Sequence, residues 1–430
     1  MNDNDLSVFD AYESNVRSYI RHFPAVFDRA EGSTLVDETG RAYVDFFCGA
    51  GAVNYGHNNP YIRERLVRYL AEGRIIHALD MGTVAKREFI ACYQDRILKP
   101  RGLDYKIQFP APTGTNAVEA ALKIARRATG RPGVFALMGS FHGMTAGALA
   151  CTSDACARGA AGIALGNVVH VPPPYMMPSA EAALKYVETL LSDDHSGAGL
   201  PAAFILEAVQ ADGGIYPLPG DYLTGLAALL KRYGVLLIVD DIQMGSCRTG
   251  RYFSFEHAGL RPDIVTVSKS AGGYGIPFAM TLFRPDLDVM KPGEHTGTFR
   301  GNQLAFVAAK AGVEFYLDHD FDSEVTRKGE LVRDFLENEI RTVEPRLAVR
   351  GIGLAWGVDF NALANAGVSK TVVRDCFDHG LVVERAGRGD NVIKIMPPLV
   401  VTEDELARGL AILRAAIVRA KPLFDAAGGI

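Results

Sequence analysis

Short, largely apolar runs alternate with longer helical patterns in the middle of the chain, and this alternation restricts the fold more than any other feature. Such runs, without polar alternation, are typical of strands covered on both faces of a parallel sheet. Strands alternating with helices predict an open, doubly wound α/β sheet. The predicted strands are Val134–Leu137, Ala203–Leu206, Val235–Val239, Ile264–Val267 and Phe278–Phe283. The helices predicted between them are Asn116–Thr129, Ser179–Leu191, Asp221–Tyr233 and Gln303–Leu317.

The two ends of the chain lack this regular alternation. A turn signal at Asp37–Gly40 separates two apolar runs, which predicts a hairpin. Toward the other end, helical patterns mix with apolar strands such as Ala355–Val358 and Val392–Ile395. We therefore expect a smaller α+β lobe built from both termini, residues 1–60 and 324–430, beside a large domain of residues 61–323.

Two polar residues stand at the ends of predicted strands. Lys269 follows one strand and precedes a glycine-rich turn, and Asp240 ends another strand. Taken alone, the first is also typical of an edge lysine and the second of a helix cap. Burial lowers the pKa of an amine and makes it a nucleophile. Together the two residues suit pyridoxal phosphate, with Lys269 bonded to the cofactor and Asp240 holding a proton on the pyridine nitrogen.

A loop rich in small and hydroxylated residues leads into an alanine-rich helix. Gly114 lets the backbone approach a ligand, and the Thr115 hydroxyl can donate to a phosphate oxygen. The free N–H groups and the dipole of a helix start also favour an anion, so we predict a phosphate site here, although Thr115 also suits a simple helix cap. Phe141-His142-Gly143 follows another strand, and its aromatic ring suits either stacking on the pyridine or packing in the core.

Charge and composition argue against several other classes of protein. The net charge of −5 gives no electrostatic case for nucleic acid or an anionic membrane. None of the six cysteines forms a CxxC pair or has zinc spacing with histidine, so we predict no metal site and a reducing compartment. The polar, acidic start Met1–Asp5 is unlike a secretory signal, and no apolar run reaches the roughly 18 residues of a membrane helix. We expect a cytoplasmic protein.

Six motifs, in order, resemble those of the class III (ω-amino acid) aminotransferases, a family of fold-type I pyridoxal-phosphate enzymes. Gly56-His57 followed by Pro60 is also similar to the N-terminal signature of that family. The resemblance runs from about Phe23 to Leu399, which is nearly the whole chain. The six motifs are Thr113-Gly114-Thr115-Asn116, Phe141-His142-Gly143, Glu207-Ala208-Val209-Gln210, Val239-Asp240-Asp241-Ile242-Gln243, Ser268-Lys269 and Thr298-Phe299-Arg300-Gly301-Asn302.

This resemblance implies a role for each matching residue. Lys269 and Asp240 would act as described above, and Gln243 would contact the ring hydroxyl. Thr298 would reach the phosphate in the neighbouring subunit, so the active unit would be a homodimer or a larger homo-oligomer. The other cofactor-binding residues that the resemblance implies are Gly114 and Thr115 at the phosphate, Phe141 on the ring face, and His142 and Glu207 in the surrounding network.

Three segments are especially similar to one branch of the family, the enzymes that exchange an amino group between 2,4-diaminobutyrate and 2-oxoglutarate. These segments are residues 47–60, 98–106 and 291–295. The resemblance implies ping-pong transfer of the terminal amino group, and in reverse a reaction of glutamate with aspartate semialdehyde. The alternatives are another ω-amino donor such as ornithine, 4-aminobutyrate or a pathway-specific amine, a pyridoxal-phosphate aminomutase, and a non-catalytic ligand-binding regulator.

Three charged residues are candidates for contacts with substrate. The two carboxylates of 2-oxoglutarate need positive partners, and Lys394 and Arg300 are the candidates. Many relatives have Gly-Glu where this chain has Ala211-Asp212, and the shorter acid moves its carboxylate by roughly 1.5 Å. Because of this shift, we expect Asp212 to affect the choice of the second substrate. Met144 also stands where many relatives carry an arginine.

Overall fold

The computed structural model describes residues 4–426; Met1–Asp3 and residues 427–430, the outermost parts of the predicted lobe, lie outside this range. The described residues form seventeen strands and fifteen α-helices. The strands are β1 Phe27–Glu31, β2 Thr34–Asp37, β3 Ala42–Asp45, β4 Lys106–Gln108, β5 Val134–Leu137, β6 Val168–Val171, β7 Ala203–Leu206, β8 Val209–Gln210, β9 Tyr216–Pro217, β10 Leu236–Asp240, β11 Ile264–Ser268, β12 Ala279–Phe283, β13 Ala348–Ile352, β14 Ala355–Asp359, β15 Leu381–Val382, β16 Glu384–Ala386 and β17 Val392–Ile395. The helices are α1 Ser7–Tyr12, α2 Tyr19–His22, α3 Cys48–Gly51, α4 Pro60–Ala71, α5 Val84–Tyr93, α6 Gly114–Thr129, α7 Ala146–Cys151, α8 Ala155–Gly159, α9 Ala180–Ser192, α10 Gly220–Arg232, α11 Gln303–Asp318, α12 Phe321–Phe335, α13 Arg341–Val343, α14 Val368–Asp378 and α15 Glu403–Ala420.

A seven-stranded sheet organises the middle of the chain, in the order β4-β12-β11-β10-β7-β5-β6. The five strands from β11 to β6 run parallel, and β12 is antiparallel to both of its neighbours. The mostly parallel, doubly wound sheet predicted from the sequence is therefore confirmed. Its five predicted strands are found with ends that differ by at most one residue.

Both faces of this sheet are buried, which explains the unbroken apolar runs. In β5, Phe135 and Leu137 belong to one hydrophobic core, whereas Val134 and Ala136 belong to a second core on the opposite face. Helix α6 packs against β11 and β12 and contributes to that second core. It begins at Gly114, two residues before the predicted start, so the candidate phosphate-binding residues occupy its first turn.

Both ends of the chain meet in smaller sheets. The predicted hairpin is confirmed as β2 and β3, and β15 from the C-terminal part pairs in parallel with β3. A second sheet, β13-β14-β17-β16, lies wholly in the C-terminal part. One lobe is therefore built from both ends of the chain. The predicted domain limits at residues 60 and 323 stay predictions, and the second of them falls inside α12.

No helix within residues 4–426 is long and apolar enough to cross a membrane.

Candidate active site

A cavity of about 260 Å³ lies at the carboxyl ends of the central parallel strands. Because parallel strands end at the same edge of a sheet, residues far apart in the chain meet there. Nine of the predicted site residues line the cavity, namely Gly114, Thr115, Phe141, His142, Glu207, Asp212, Asp240, Gln243 and Lys269. The other lining residues are Gly143, Met144, Ile242 and Met244.

Lys269 lies at the end of β11 and adopts a backbone φ of +52°. This left-handed conformation is costly for a residue with a side chain, and strain of this kind concentrates at functional sites. Both neighbouring serines are fixed, because Ser268 donates to Phe278 O at 2.6 Å and Ser270 donates to Gly51 O at 2.7 Å. Burial lowers the pKa of Lys269, although Asp212 opposes that shift, so the amine loses its proton more easily than a free lysine does.

Asp240 is held by a buried network at the end of β10. Its Oδ2 lies 2.7 Å from His142 Nδ1, and its Oδ1 accepts from Thr266 Oγ1 at 3.0 Å. Both Asp240 and His142 are almost fully buried. The other ring nitrogen of His142, Nε2, is buried without a hydrogen-bond partner among residues 4–426. The carboxylate therefore keeps a fixed orientation beside the cavity.

Glu207 ties together two loops that border the cavity. Its Oε1 accepts from the backbone N–H of Phe141 at 3.0 Å, and its Oε2 accepts from that of Ala211 at 3.1 Å. Burial raises the pKa of Glu207 to about 7, and the negative charge of Asp240 adds to this shift while His142 opposes it. The side chain thus positions both Phe141 and the loop that carries Asp212.

The start of α6 provides an anion site of backbone N–H groups. The first N–H groups of a helix have no intrahelical acceptor, and those of Gly114 and Thr115 belong to this set. The Thr115 hydroxyl lies 2.6 Å from Thr145 Oγ1, which donates to Glu119 Oε1 at 2.6 Å. Gly143 leaves no space for a side chain, since a Cβ there would overlap the Thr115 hydroxyl.

Lys394 lies beside the cavity, in a cluster of opposite charges. Only 1% of its side chain is exposed, and its Nζ lies 2.7 Å from both Asp212 Oδ1 and Glu384 Oε1. It also donates to Gln243 Oε1 at 3.4 Å. Burial works against the charged amine, but the two carboxylates raise the pKa of Lys394 above its usual value. Its charge is therefore already shared between two acids, and its contact with a substrate carboxylate stays a prediction.

Thr298 and Arg300 do not line the cavity of their own chain. The Arg300 guanidinium donates to Phe109 O at 2.9 Å and to His295 O at 2.5 Å. His77 Nε2 lies 3.0 Å from the backbone oxygen of Thr298. These bonds fix the loop that carries both residues, and their action at a neighbouring subunit stays a prediction.

Sequence reasoning missed several residues around the cavity. Glu384 directly follows the apolar run Leu381–Val383, and this single acid at the end of a run was the only sequence signal for a site residue there. Thr145 and Glu119 gave no signal, because their contacts depend on how two helices approach each other. Asp212 pairs with Lys394 across 182 positions of sequence, a separation that no local pattern reveals.

The chemistry of the cavity fits pyridoxal phosphate. A phosphate suits the free N–H groups at the start of α6, a protonated pyridine nitrogen suits Asp240, and an aldehyde suits the amine of Lys269. All three groups border one cavity. The exposed ring of Phe141 adds a flat apolar surface there.

Comparisons with known proteins agree with this geometry. The model of the class III aminotransferase family matches residues 16–417. The diaminobutyrate–2-oxoglutarate transaminase of Nocardia farcinica is 49% identical over 96% of this chain and 94% of the relative. The enzyme of the same name from Bordetella parapertussis is 47% identical over 97% of this chain and 96% of the relative.

Solved structures agree with the fold. The ornithine aminotransferase of Toxoplasma gondii superposes with a TM-score of 0.84 at 26% identity, covering 97% of this chain and 94% of that one. A Bacillus anthracis aminotransferase gives a TM-score of 0.86 at 26% identity, covering 96% and 98%. The fold and the cavity together define a pyridoxal-phosphate enzyme of fold type I. The chain belongs to the class III aminotransferase family.

Proposed function

We propose that this chain transfers the terminal amino group of 2,4-diaminobutyrate to 2-oxoglutarate, and in reverse that of glutamate to aspartate semialdehyde. The observation that carries the proposal is an identity of 45–49%, over 95–97% of the chain, to relatives named for this reaction. We place the reaction in the cytoplasm, as the sequence predicts.

Each cofactor contact in this proposal rests on the position of a residue around the cavity. Lys269 is the covalent attachment point, Asp240 partners the pyridine nitrogen and Gln243 contacts the ring hydroxyl. His142 orients Asp240, and Glu207 holds the Phe141 loop. The remaining contacts proposed are the Phe141 ring against the cofactor ring and the Gly114 and Thr115 N–H groups at the phosphate.

The residues of the chain would then carry the proton transfers. Bound pyridoxal phosphate supplies an electron-accepting ring, which stabilises negative charge on the carbon that bears the amino group. Once the donor amine has replaced Nζ on the cofactor, the lowered pKa of Lys269 would favour its neutral amine, so Nζ could take a proton from that carbon and return one. Asp240 keeps a proton on the ring nitrogen, because His142 and Thr266 hold its carboxylate in one orientation.

We propose that Thr298 acts in the cofactor site of a second copy of this chain. Thr298 lies outside its own cavity, and the loop that carries it contacts His77. Exposed apolar side chains lie on this loop and on the segment 75–81, which contacts it through His77, and such patches mark interfaces. They are Ile75, Ile76, Leu79, Met81 and Phe299. A homodimer would cover this patch and complete both sites.

A panel of single amino donors tests the proposed reaction. Purified holoenzyme is mixed with one donor at a time, without an acceptor, and the absorbance of the bound cofactor reports its conversion. Diaminobutyrate should react faster than ornithine or 4-aminobutyrate at equal concentration. Lys269→Ala, which lacks the amine, is the matched control and should give no conversion.

Ornithine is the second candidate donor, because the solved ornithine aminotransferase shares this fold at 26% identity. Faster conversion by ornithine or 4-aminobutyrate would contradict the diaminobutyrate proposal and leave only the family assignment. Cofactor conversion by a single donor also distinguishes a transaminase from an aminomutase, which keeps its intermediate bound.

A further inference from the structure

Two carboxylates, one buried and one partly exposed, share a single lysine on one side of the cavity. Lys394 on β17 contacts Asp212 and Glu384 at 2.7 Å each. Asp212 also lines the cavity and keeps 38% of its side chain exposed. When Lys269 is bonded to the cofactor, Lys394, Asp212 and Glu384 together carry one net negative charge.

Glu384 is the less well compensated of the two acids. Only 7% of its surface is exposed, and Lys394, 2.7 Å from its Oε1, is the one cationic side chain in contact with it among residues 4–426. Burial raises the pKa of Glu384 even though Lys394 is adjacent, whereas Lys394 and Lys269 hold the pKa of Asp212 below its usual value. One lysine cannot balance two carboxylates, and Glu384 is the more deeply buried acid, so the excess negative charge calls for a proton or a second cation.

Glu384 lies one side chain away from the cavity. It is the register partner of Lys394 between β16 and β17, and Lys394 Nζ also contacts Asp212 and Gln243, which both line the cavity. Partial burial together with the charge of Glu384 raises the pKa of Tyr19, at the start of α2, to about 12. Tyr19 itself keeps 51% of its surface exposed.

We propose that Glu384 is a specificity-determining residue that binds the non-reacting α-ammonium group of a diamino acid donor. The inference rests on the proposed function. A donor that reacts at its terminal amine presents an α-ammonium and an α-carboxylate at its other end. The Glu384–Lys394 pair offers the complementary negative and positive charges. An incoming ammonium group supplies a second cation, which lowers the cost of burying two carboxylates against one lysine.

This role predicts a preference between two kinds of donor. Diaminobutyrate and 4-aminobutyrate have the same chain length and the same reacting amine, and only diaminobutyrate carries the α-ammonium group. Ornithine and 5-aminopentanoate form a second pair of this kind. The ratio of kcat/KM within each pair isolates the contribution of the α-ammonium group from the rest of the reaction.

Glu384→Gln in the holoenzyme tests the proposal. A hydrogen bond to a charged group contributes about 1.5–3 kcal/mol, so the ratio of kcat/KM for diaminobutyrate over 4-aminobutyrate should fall about 10- to 150-fold, mainly through KM. Glu384→Asp keeps the charge and should recover part of the ratio. Glu344→Gln removes another buried acid, one that pairs with Arg346 away from the cavity, and should leave the ratio unchanged.

A fall of less than threefold in this ratio would overturn the proposal, as would an equal loss for both donors of a pair. If Glu384→Gln fails to fold, the same ratio in Glu384→Asp decides, because a longer reach to the ammonium should still lower it at least threefold. If the proposed function is wrong, the unmodified enzyme will prefer ornithine to diaminobutyrate. The ratio of kcat/KM for ornithine over 5-aminopentanoate would then still test Glu384.

Discussion

Replacing Glu207 with glutamine should change how the stability of the protein depends on pH. The pKa of this buried carboxyl is about 7 in the folded chain, against 4.5 for a free side chain. Because the folded state holds the proton more tightly, this group contributes most stability below pH 4.5. That contribution is lost as the pH rises from about 4.5 to about 7, and it is constant outside this window.

The structure fixes the size of the effect. Each pH unit between the two pKa values corresponds to about 1.4 kcal/mol, so the unmodified protein should lose about 3 kcal/mol across the window. Glu207→Gln has no such loss. A neutral amide accepts from only one of the two N–H groups of Phe141 and Ala211, which costs about 1–3 kcal/mol at every pH and cancels from the pH dependence.

Urea unfolding of the cofactor-free protein and its variant, followed by circular dichroism, measures this difference. The free energy of unfolding of Glu207→Gln, relative to the unmodified protein, should rise by about 3 kcal/mol between pH 4.5 and pH 7.5. Glu344→Gln is the control. Because Arg346 lowers the pKa of Glu344, the free energy of unfolding of this variant, relative to the unmodified protein, should stay constant from pH 5 upward. The same lack of pH dependence in the free-energy difference of Glu207→Gln would refute the reasoning.

Three further predictions concern the cofactor and the assembly. Borohydride reduction followed by peptide mapping should label Lys269, and Lys269→Ala should lose turnover yet still bind pyridoxal phosphate; a label on another lysine would remove that assignment. Asp240→Asn should lower kcat by about 10- to 1,000-fold with little change in thermal stability, because losing a charge partner shifts a pKa by about 1–3 units; near-normal turnover would assign the role to another acid. Thr298→Ala should weaken cofactor binding in a dimer, as measured by equilibrium dialysis and sedimentation, and a fully active monomer would contradict the shared site.

Much of the fold follows from local sequence pattern. The central strands were predictable because burial on both faces leaves a continuous apolar run, as in β5 and β7. Strand β6 was missed because it lies at the sheet edge, is only partly buried and contains His170. The two-residue strand β15 was missed because its pairing with β3 depends on residues more than 300 positions away.

The residues of the candidate site also fall into those that a local sequence pattern reveals and those whose contacts depend on the fold. Lys269, Asp240 and Gly114 stand at strand or helix ends, so their chemistry and their local position were visible together. The charge balance around Lys394 was not visible, because Asp212 and Glu384 reach it from different strands and loops. A lysine in a short apolar strand indicates burial, but its partners become known only when the strands are placed side by side.

The pairing of β3 with β15 has a consequence for how the protein is made. A chain that leaves the ribosome from its N-terminus exposes β3 early, but its partner at Leu381–Val382 is synthesised near the end. The seven-stranded sheet, whose last strand in sequence ends at Phe283, can form before then. Residues 381–386 also include Glu384, so the part of the site proposed to select the donor would be added last, to a cofactor site already formed during translation.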